Sequence, residues 1–392
     1  MKEQVETSRS MGSGWGHVIQ PELVFWQNAL SIHQAPLIRA MSEGLGLSVM
    51  VVVPGGISES RRAMGWDVAN YGKADIRVTT SKGERRALVE STRGAHGHVF
   101  SGLGSYPEVD RAFTALVARR HGKIAVFTES WDPRGWKSIL RKLRFEMRLG
   151  LRDRHIDTYF LTGIVARDQF SSLGIDSAKF ADFGYFVSGS TQVLGSSVHS
   201  QFALIYVASF EPRKNPLGLI RALSQLMDLD WTLTMVGSGR VRESAINLIR
   251  SLQMQERVKF IPNLDNAAVQ SLIGQNDLCV LPSTYDGWGA VINESLMSGT
   301  PVAASSACGS SILVRSTLQG DVFDPASVES LAALLRKRIE QGKITEVDRS
   351  RLMAWASSHI SPEVAASYLW SRINSNIAVE PPWLSGDDSG EH

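Results

Sequence analysis

From Leu23 onward, short apolar runs alternate with longer stretches of helical spacing, and the alternation occurs in two blocks. Apolar runs of about four to eight residues separated by amphipathic segments are what a parallel sheet requires, because its strands are covered on both faces by the helices that join them. The first block offers strands at 23–28, 47–53, 97–101, 123–129 and 157–162, with helices over 35–44, 107–120, 135–151 and 164–173. A Ser- and Gly-rich stretch without periodicity, 188–201, reads as a linker. The pattern then restarts with strands at 202–209, 231–237, 257–261, 277–283 and 300–305, with helices between them and three more at 326–341, 348–358 and 362–374. With 392 residues the chain is long enough for two cores. The expected fold is α/β, two doubly wound Rossmann-like domains facing a central cleft. Its parts are a flexible lead-in at 1–22, a first domain at 23–187, the linker, a second domain at 202–376 with its terminal helices, and a frayed acidic tail at 377–392. Ligands of such sheets sit beyond the carboxyl ends of the strands, so the loops there are where chemistry is expected.

Composition narrows the class of function. Lys and Arg together number 41 against 39 Asp and Glu, a formal charge of +2, which lacks the basic excess of a nucleic-acid binder. Two cysteines, Cys279 and Cys308, without CxxC or Cys/His spacing, support neither a disulfide framework nor structural zinc and suit a reducing compartment. The first residues lack the apolar core of a secretory signal, and no run of about 18 apolar residues occurs. A cytoplasmic protein is expected, with membrane contact only as a peripheral one at the inner face.

The most informative stretch is TYDGWGAVINESLMSGTPVAAS, in which Asp286, Gly287, Trp288, Gly289 and Ala290 join a strand to a helix that carries Glu294. Glycines let the backbone approach a ligand, and a helix amino terminus offers unpaired N–H groups, which together suit a diphosphate. Asp286 and Glu294 are eight positions apart, about 12 Å of helix rise, so Glu294 can take a ribose while Asp286 takes a sugar. The plainer alternative is a tight turn followed by a solvated glutamate. In SFEPRKNP, Arg213 and Lys214 stand at the start of a helix, where cations are unfavourable unless an anion is present; solvated turn residues are the alternative. MVGSGR supplies a further glycine turn, Gly237 and Gly239, at a strand end.

The succession SFEPRKNP, MVGSGR, RVKFIPNL, LPSTYDGWGAVINESLMSGTPVAAS and GDVFDPAS resembles the donor-binding half of retaining glycosyltransferases of family 4, which have the GT-B fold. More faintly, SIHQAPLIRA, ARRHGKIAVFTES and FGYFV resemble the acceptor-side half of some bacterial members. The resemblance implies a nucleotide-diphosphate sugar as co-substrate and a glycan or lipid-linked acceptor, with no catalytic metal and no cofactor. In that family an E-x7-E pair clasps the donor; Glu294 matches its second member, and Asp286 occupies the first position. Lys214 matches the phosphate-binding Lys, whereas Ser209 stands where the family has Arg, with Arg213 nearby to compensate. Gly237, Gly239, Phe260, Gly287, Trp288, Gly289 and Ala290 complete the implied donor site. Glu129 stands where many members carry a His facing the sugar, and with Asp286 and Lys214 it forms the expected catalytic set.

On the acceptor side, His33 follows the first strand and precedes a helix, which suits either a cleft contact or a bond to local backbone. His96 and His98 alternate along a strand; without a third ligand they do not suit a metal, but His98 and Trp131 are expected to border the acceptor. Asp228 and Asp230 form a DxD between a helix and a strand, read as a surface turn. The segment 134–155 mixes eight Arg and Lys residues with Trp136, Ile139, Leu140, Leu143, Phe145, Met147 and Leu149. It suits either contact with an anionic membrane or a helix packed on the sheet with its arginines solvated. The expected function is transfer of a sugar with retention of configuration in cell-surface polysaccharide or glycoconjugate synthesis. Its rivals are a nucleotide-sugar epimerase of the same fold and a non-catalytic nucleotide-sugar-binding protein.

Overall fold

The computed structural model describes residues 20–55, 69–118, 122–189, 200–375 and 379–385. Most of the expected lead-in and linker, and residues 386–392 of the tail, lie outside these. The first domain is a seven-stranded sheet of β1 (Leu23–Trp26), β2 (Val49–Pro54), β3 (Asp75–Thr79), β4 (Gly97–Ser101), β5 (Lys123–Glu129), β6 (Thr158–Thr162) and β7 (Phe180–Phe183), ordered 3-2-1-4-5-6-7. All pairs are parallel, and β1 sits with Leu23 opposite Val49 on one side and Gly97 on the other. Helices α1 (Ala35–Arg39, continued by a wider turn to Gly44), α2 (Lys82–Thr92), α3 (Pro107–Val117), α4 (Lys137–Leu149) and α5 (Gly163–Ser171) connect the strands.

The second domain repeats the plan with β8 (Phe202–Val207), β9 (Trp231–Val236), β10 (Val258–Ile261), β11 (Leu278–Leu281), β12 (Val302–Ser305) and β13 (Gly320–Phe323), ordered 10-9-8-11-12-13. Its helices are α6 (Pro216–Ser224), α7 (Arg242–Ser251), α8 (Asn266–Gly274), α9 (Ala290–Met297), α10 (Val328–Gln341), α11 (Glu346–His359) and α12 (Pro362–Asn374). Strand order reverses between β1 and β4 in one sheet and between β8 and β11 in the other. At such a reversal the connecting helices leave on opposite faces and open a crevice beyond the strand ends.

Three strands and a helix lack the apolar signature used above. β3 is an edge strand, mostly exposed, and reads DIRVT; β7 reads FADF and β13 reads GDVF, each carrying an aspartate within its four residues. Helix α2 starts at a reciprocal capping box, in which Ser81 and Glu84 each bond the other's backbone N–H.

One apolar cluster runs through both domains, from Phe25, Phe127 and Phe183 to Trp288, Ile292 and Leu296. The last helix, grouped above with the second half, packs on the first sheet. Arg372 donates to the Phe180 carbonyl at 3.3 Å, and Ile373 lies so near Gly97 that an added Cβ would meet it at 2.8 Å. The start of the tail is not frayed: Trp383 is 1% exposed and packs on Phe186 with ring centroids 4.4 Å apart. Its apolar area is too large to be left in water, and Trp383→Ala would cost on the order of 3–5 kcal/mol.

Candidate functional site

The loop after β11 continues the strand pairing. The Asp286 N–H donates to Ala307 O at 3.0 Å, and Gly309 N–H donates to Asp286 O at 3.1 Å. Gly289 turns the chain into α9 at φ +88°, and a Cβ there would come within 2.7 Å of Leu281, so geometry and space both require glycine. No side chain caps α9. Its first N–H groups are therefore left without a side-chain acceptor, and the helix end carries a partial positive charge.

The sequence PRKNP explains how two cations reach this loop. Pro212 opens a single tight turn, Pro212–Lys214, and Asn215 closes it in the left-handed conformation at φ 52° while its side chain caps α6 at Gly218 N–H. The turn is pinned by the Thr284 N–H, which donates to Arg213 O at 2.8 Å. Lys214 then forms a hydrogen-bonded ion pair with Asp286, and an Arg213 guanidinium nitrogen stands 3.7 Å from the other Asp286 oxygen. The anion that these cations call for is thus supplied, within the protein itself, by Asp286.

Glu294 lies one helical turn into α9 and is largely buried, and its carboxyl group has no hydrogen-bond or ion-pair partner among the described residues. Burial alone raises its carboxyl to about 7. A carboxylate held this way gains most from a ligand that brings hydroxyl donors.

The opposite wall comes from the first domain. Glu129 ends β5, and the Tyr185 hydroxyl, just past β7, donates to it at 2.5 Å. Removal from bulk water raises the Glu129 carboxyl; the Tyr185 hydrogen bond opposes this, Asp286 adds to it, and Arg213 opposes it. The Tyr185 hydroxyl is held well above its usual range, by burial first and by the Glu129 charge second, so it remains a donor. Glu129 Oε2 would be 2.7 Å from a Cβ on Gly287. The reactive faces of the two domains therefore meet at these residues.

Behind Glu129 a cavity of about 450 Å³ opens at the ends of β1, β4 and β5, lined by Gln34, His33, Tyr106, Trp131, Phe145 and Tyr185 among others. The His33 ring is tilted against Tyr185 at 5.8 Å; burial lowers its pKa, against an opposing pull from Asp286. Trp131 stacks on Phe145 at 5.0 Å.

Not every expected site residue faces this crevice. His98 points to the other side of β4, accepts a hydrogen bond from the Trp26 indole at 3.2 Å and is held down at about 4 by burial. It is a core histidine and not an acceptor contact. Trp288 is 2% exposed, donates to Tyr185 O at 3.0 Å and packs against Phe186, so it anchors the domains to each other. Phe260 packs on Phe210 beneath the Arg242 guanidinium, as part of the second core. Gly237 and Gly239 serve a backbone approach, since a Cβ would meet Ala208 O at 2.2 Å and Phe210 O at 2.7 Å. Ser209 is exposed just past β8, and Ala290 is the first residue of α9. Asp228 pairs with Arg336 at 2.8 Å, before β9 and away from the crevice.

Three further participants join the site: Arg134, which the sequence places at the border of the acceptor cleft, and Tyr185 and Tyr285, which it does not single out. Tyr185 orients Glu129, while Tyr285 donates to Ser130 O at 2.7 Å and Arg134 donates to Thr284 Oγ1 at 2.6 Å, both across the domain boundary. Only FGYFV, following a strand, pointed to Tyr185.

Residues 196–351 match the family described as Glycosyl transferases group 1. A glycogen synthase of Mycobacterium tuberculosis is 30% identical over 139 residues, 35% of this chain and 34% of that protein. A D-inositol 3-phosphate glycosyltransferase of Rhodococcus jostii is 29% identical over 191 residues, 45% of this chain and 42% of the relative. The chain thus spans about a third to two fifths of these relatives. Over nearly its whole length the fold is similar to that of Anabaena HepE in complex with UDP, with TM-score 0.69 at 16% identity, covering 90% of this chain and 99% of that one. The lipopolysaccharide outer core galactosyltransferase WaaB gives TM-score 0.68 at 15% identity, covering 91% and 99%. At such identities the likeness is one of fold. Residues 196–351 thus match the group 1 glycosyl transferase family, and the two described domains together have the fold of GT-B glycosyltransferases.

Proposed function

We propose that the chain is a retaining, metal-independent glycosyltransferase that moves a sugar from a nucleotide-diphosphate sugar to a hydroxyl of a glycan or lipid-linked acceptor, in cell-surface polysaccharide or glycoconjugate synthesis. The observation that carries the reading is the convergence on α9 of an uncapped amino terminus, the Lys214 and Arg213 cations, and the unpartnered Glu294. A donor diphosphate at the amino terminus competes with Asp286 for Lys214 and Arg213. These cations and the helix N–H groups then stabilise the charge that develops on the leaving diphosphate. Glu294 accepts the ribose hydroxyls, and Asp286, freed from part of its pairing, accepts sugar hydroxyls.

Glu129 reaches the same space from the first domain and orients the acceptor hydroxyl or receives its proton, with Tyr185 holding the carboxylate in place. The departing phosphate can also take that proton, so no covalent nucleophile is required. Retention of configuration rests on the resemblance of the donor half to family 4. HepE, a neighbour in fold, has been crystallised with UDP and UDP-glucose, which makes UDP-sugars the first donors to try.

Incubation with nucleotide sugars and a panel of glycan and lipid-linked acceptors tests the reading. The expected result is acceptor-dependent release of nucleoside diphosphate, with the donor's anomeric configuration kept in the product by NMR. An altered free nucleotide sugar formed without acceptor would point to the epimerase, and binding without turnover to a non-catalytic role.

A further inference from the structure

Helix α4 turns its apolar side outward. Trp136, Ile139, Leu140, Leu143, Met147 and Leu151 are each between 48% and 80% exposed. At 3.6 residues per turn these positions fall within an arc of about 120°, a continuous stripe along α4 and the turn that follows. Only Phe145 and Leu149 on the opposite side reach inward, Phe145 onto Trp131 and Leu149 into the first-domain core. A contiguous apolar surface of this kind is uncommon on a protein that meets only water. Cations border it: Arg144, Arg148 and Arg154 have no carboxylate partner among the described residues, while Lys142 pairs only loosely with Glu146, at 3.8 Å.

We infer that α4 is an interfacial helix, which lays its apolar stripe into the headgroup boundary of an anionic lipid bilayer while its arginines contact lipid phosphates. The charge decides the occupant. An apolar stripe edged by arginines that lack carboxylate partners among the described residues complements a surface that is both greasy and negative, whereas a second copy of this helix would bring the same cations face to face. The position adds to the argument. Phe145, on the reverse of the helix, lines the cavity behind Glu129, so a bilayer on the stripe lies one helix diameter, about 10 Å, from that cavity. A hydroxyl carried at the membrane surface is then within reach of the crevice, which links the inference to the proposed transfer. Membrane binding itself does not depend on that reading.

The test is flotation of the purified full chain with phosphatidylcholine vesicles, alone or with roughly one third phosphatidylglycerol, at about 0.1 M salt. At least about tenfold more protein should float with the anionic vesicles, and this enrichment should fall at least about tenfold in Leu143→Glu/Met147→Glu and in Arg144→Glu/Arg154→Glu. These positions are exposed, so the variants should keep the wild-type melting temperature, checked in parallel. The inference is overturned if wild-type protein floats with neither vesicle, or if the stripe variants float as the wild type does. It is also overturned if sedimentation finds a dimer that the stripe variants convert to monomer, since the stripe then belongs to contact between copies. Donor-dependent turnover with a soluble acceptor, measured on the same variants, separates failure of membrane binding from failure of the transferase reading.

Discussion

Replacing Glu294 with Gln should stabilise the protein progressively as pH rises. Burial lifts this carboxyl from 4.5 to about 7, with no partner among the described residues to offset it. A raised carboxyl favours the folded state fully below the unfolded pKa, and that contribution is lost as pH climbs through the folded pKa. Between pH 4.5 and 8 the wild type therefore loses, relative to Glu294→Gln, up to about 3 kcal/mol, at about 1.4 kcal/mol per unit. The amide carries its own burial cost at every pH, so the informative quantity is the change in the difference with pH. Unfolding entropy of about 2 cal/mol/K per residue converts 3 kcal/mol into a melting-temperature difference of roughly 4 °C, if the whole chain melts together. Scanning calorimetry of both proteins across this range measures it. A difference that stays constant with pH would refute the idea that Glu294 is a buried, uncompensated carboxylate.

Lys214→Ala should weaken donor binding or turnover at least about tenfold, near 1.4 kcal/mol, and leave Asp286 without its closest cation; unchanged kinetics would remove Lys214 from the donor site. Glu129→Gln should lower kcat at least about tenfold while donor affinity stays within about twofold, and equal losses in both would reduce Glu129 to a binding residue. Tyr185→Phe removes the hydrogen bond that favours the Glu129 carboxylate, so the acidic limb of the rate profile should move to higher pH, and a limb that stays in place would break the link between them. Gly184→Ala would put a Cβ 2.2 Å from the buried Trp288 ring, across the domain boundary; overpacking of about 1–3 kcal/mol should lower the melting temperature and loosen the domains in small-angle scattering, and an unchanged profile would show that Trp288 is no anchor.

The sheets were legible where strands are buried on both faces, as in LSVMVVV and KIAVFTE, because such strands must be apolar throughout. β3 escaped because an edge strand exposes most of its side chains, and the packing of α12 on the first sheet was not legible because periodicity reports which face is buried and not what covers it. Within the site, the relation of Asp286, Gly289 and Glu294 follows from local rules, since a strand, a glycine turn and a helix start fix it, whereas Lys214 reaches Asp286 only through the fold, 72 positions away. Trp288 and His98 could not be read locally, because an aromatic in a ligand loop and one in a core look alike until the packing partners, Phe186 and Trp26, are known. Tyr185 meets Glu129 only through the folded chain, 56 positions away. The outward stripe of α4 reads in sequence like any amphipathic helix; only its pinning by Phe145 shows which face meets solvent.

The most direct test of the donor site is a thermal-shift titration of wild-type protein and Glu294→Ala with UDP-, GDP-, ADP- and dTDP-sugars, each with and without EDTA. A ligand that binds only the folded state raises the melting temperature, by about 2.7 kcal/mol of stabilisation at one hundred times its dissociation constant. The account predicts a shift with one nucleotide class that survives EDTA in the wild type and is lost in Glu294→Ala. No shift with any nucleotide sugar, or a shift that Glu294→Ala leaves intact, would contradict it.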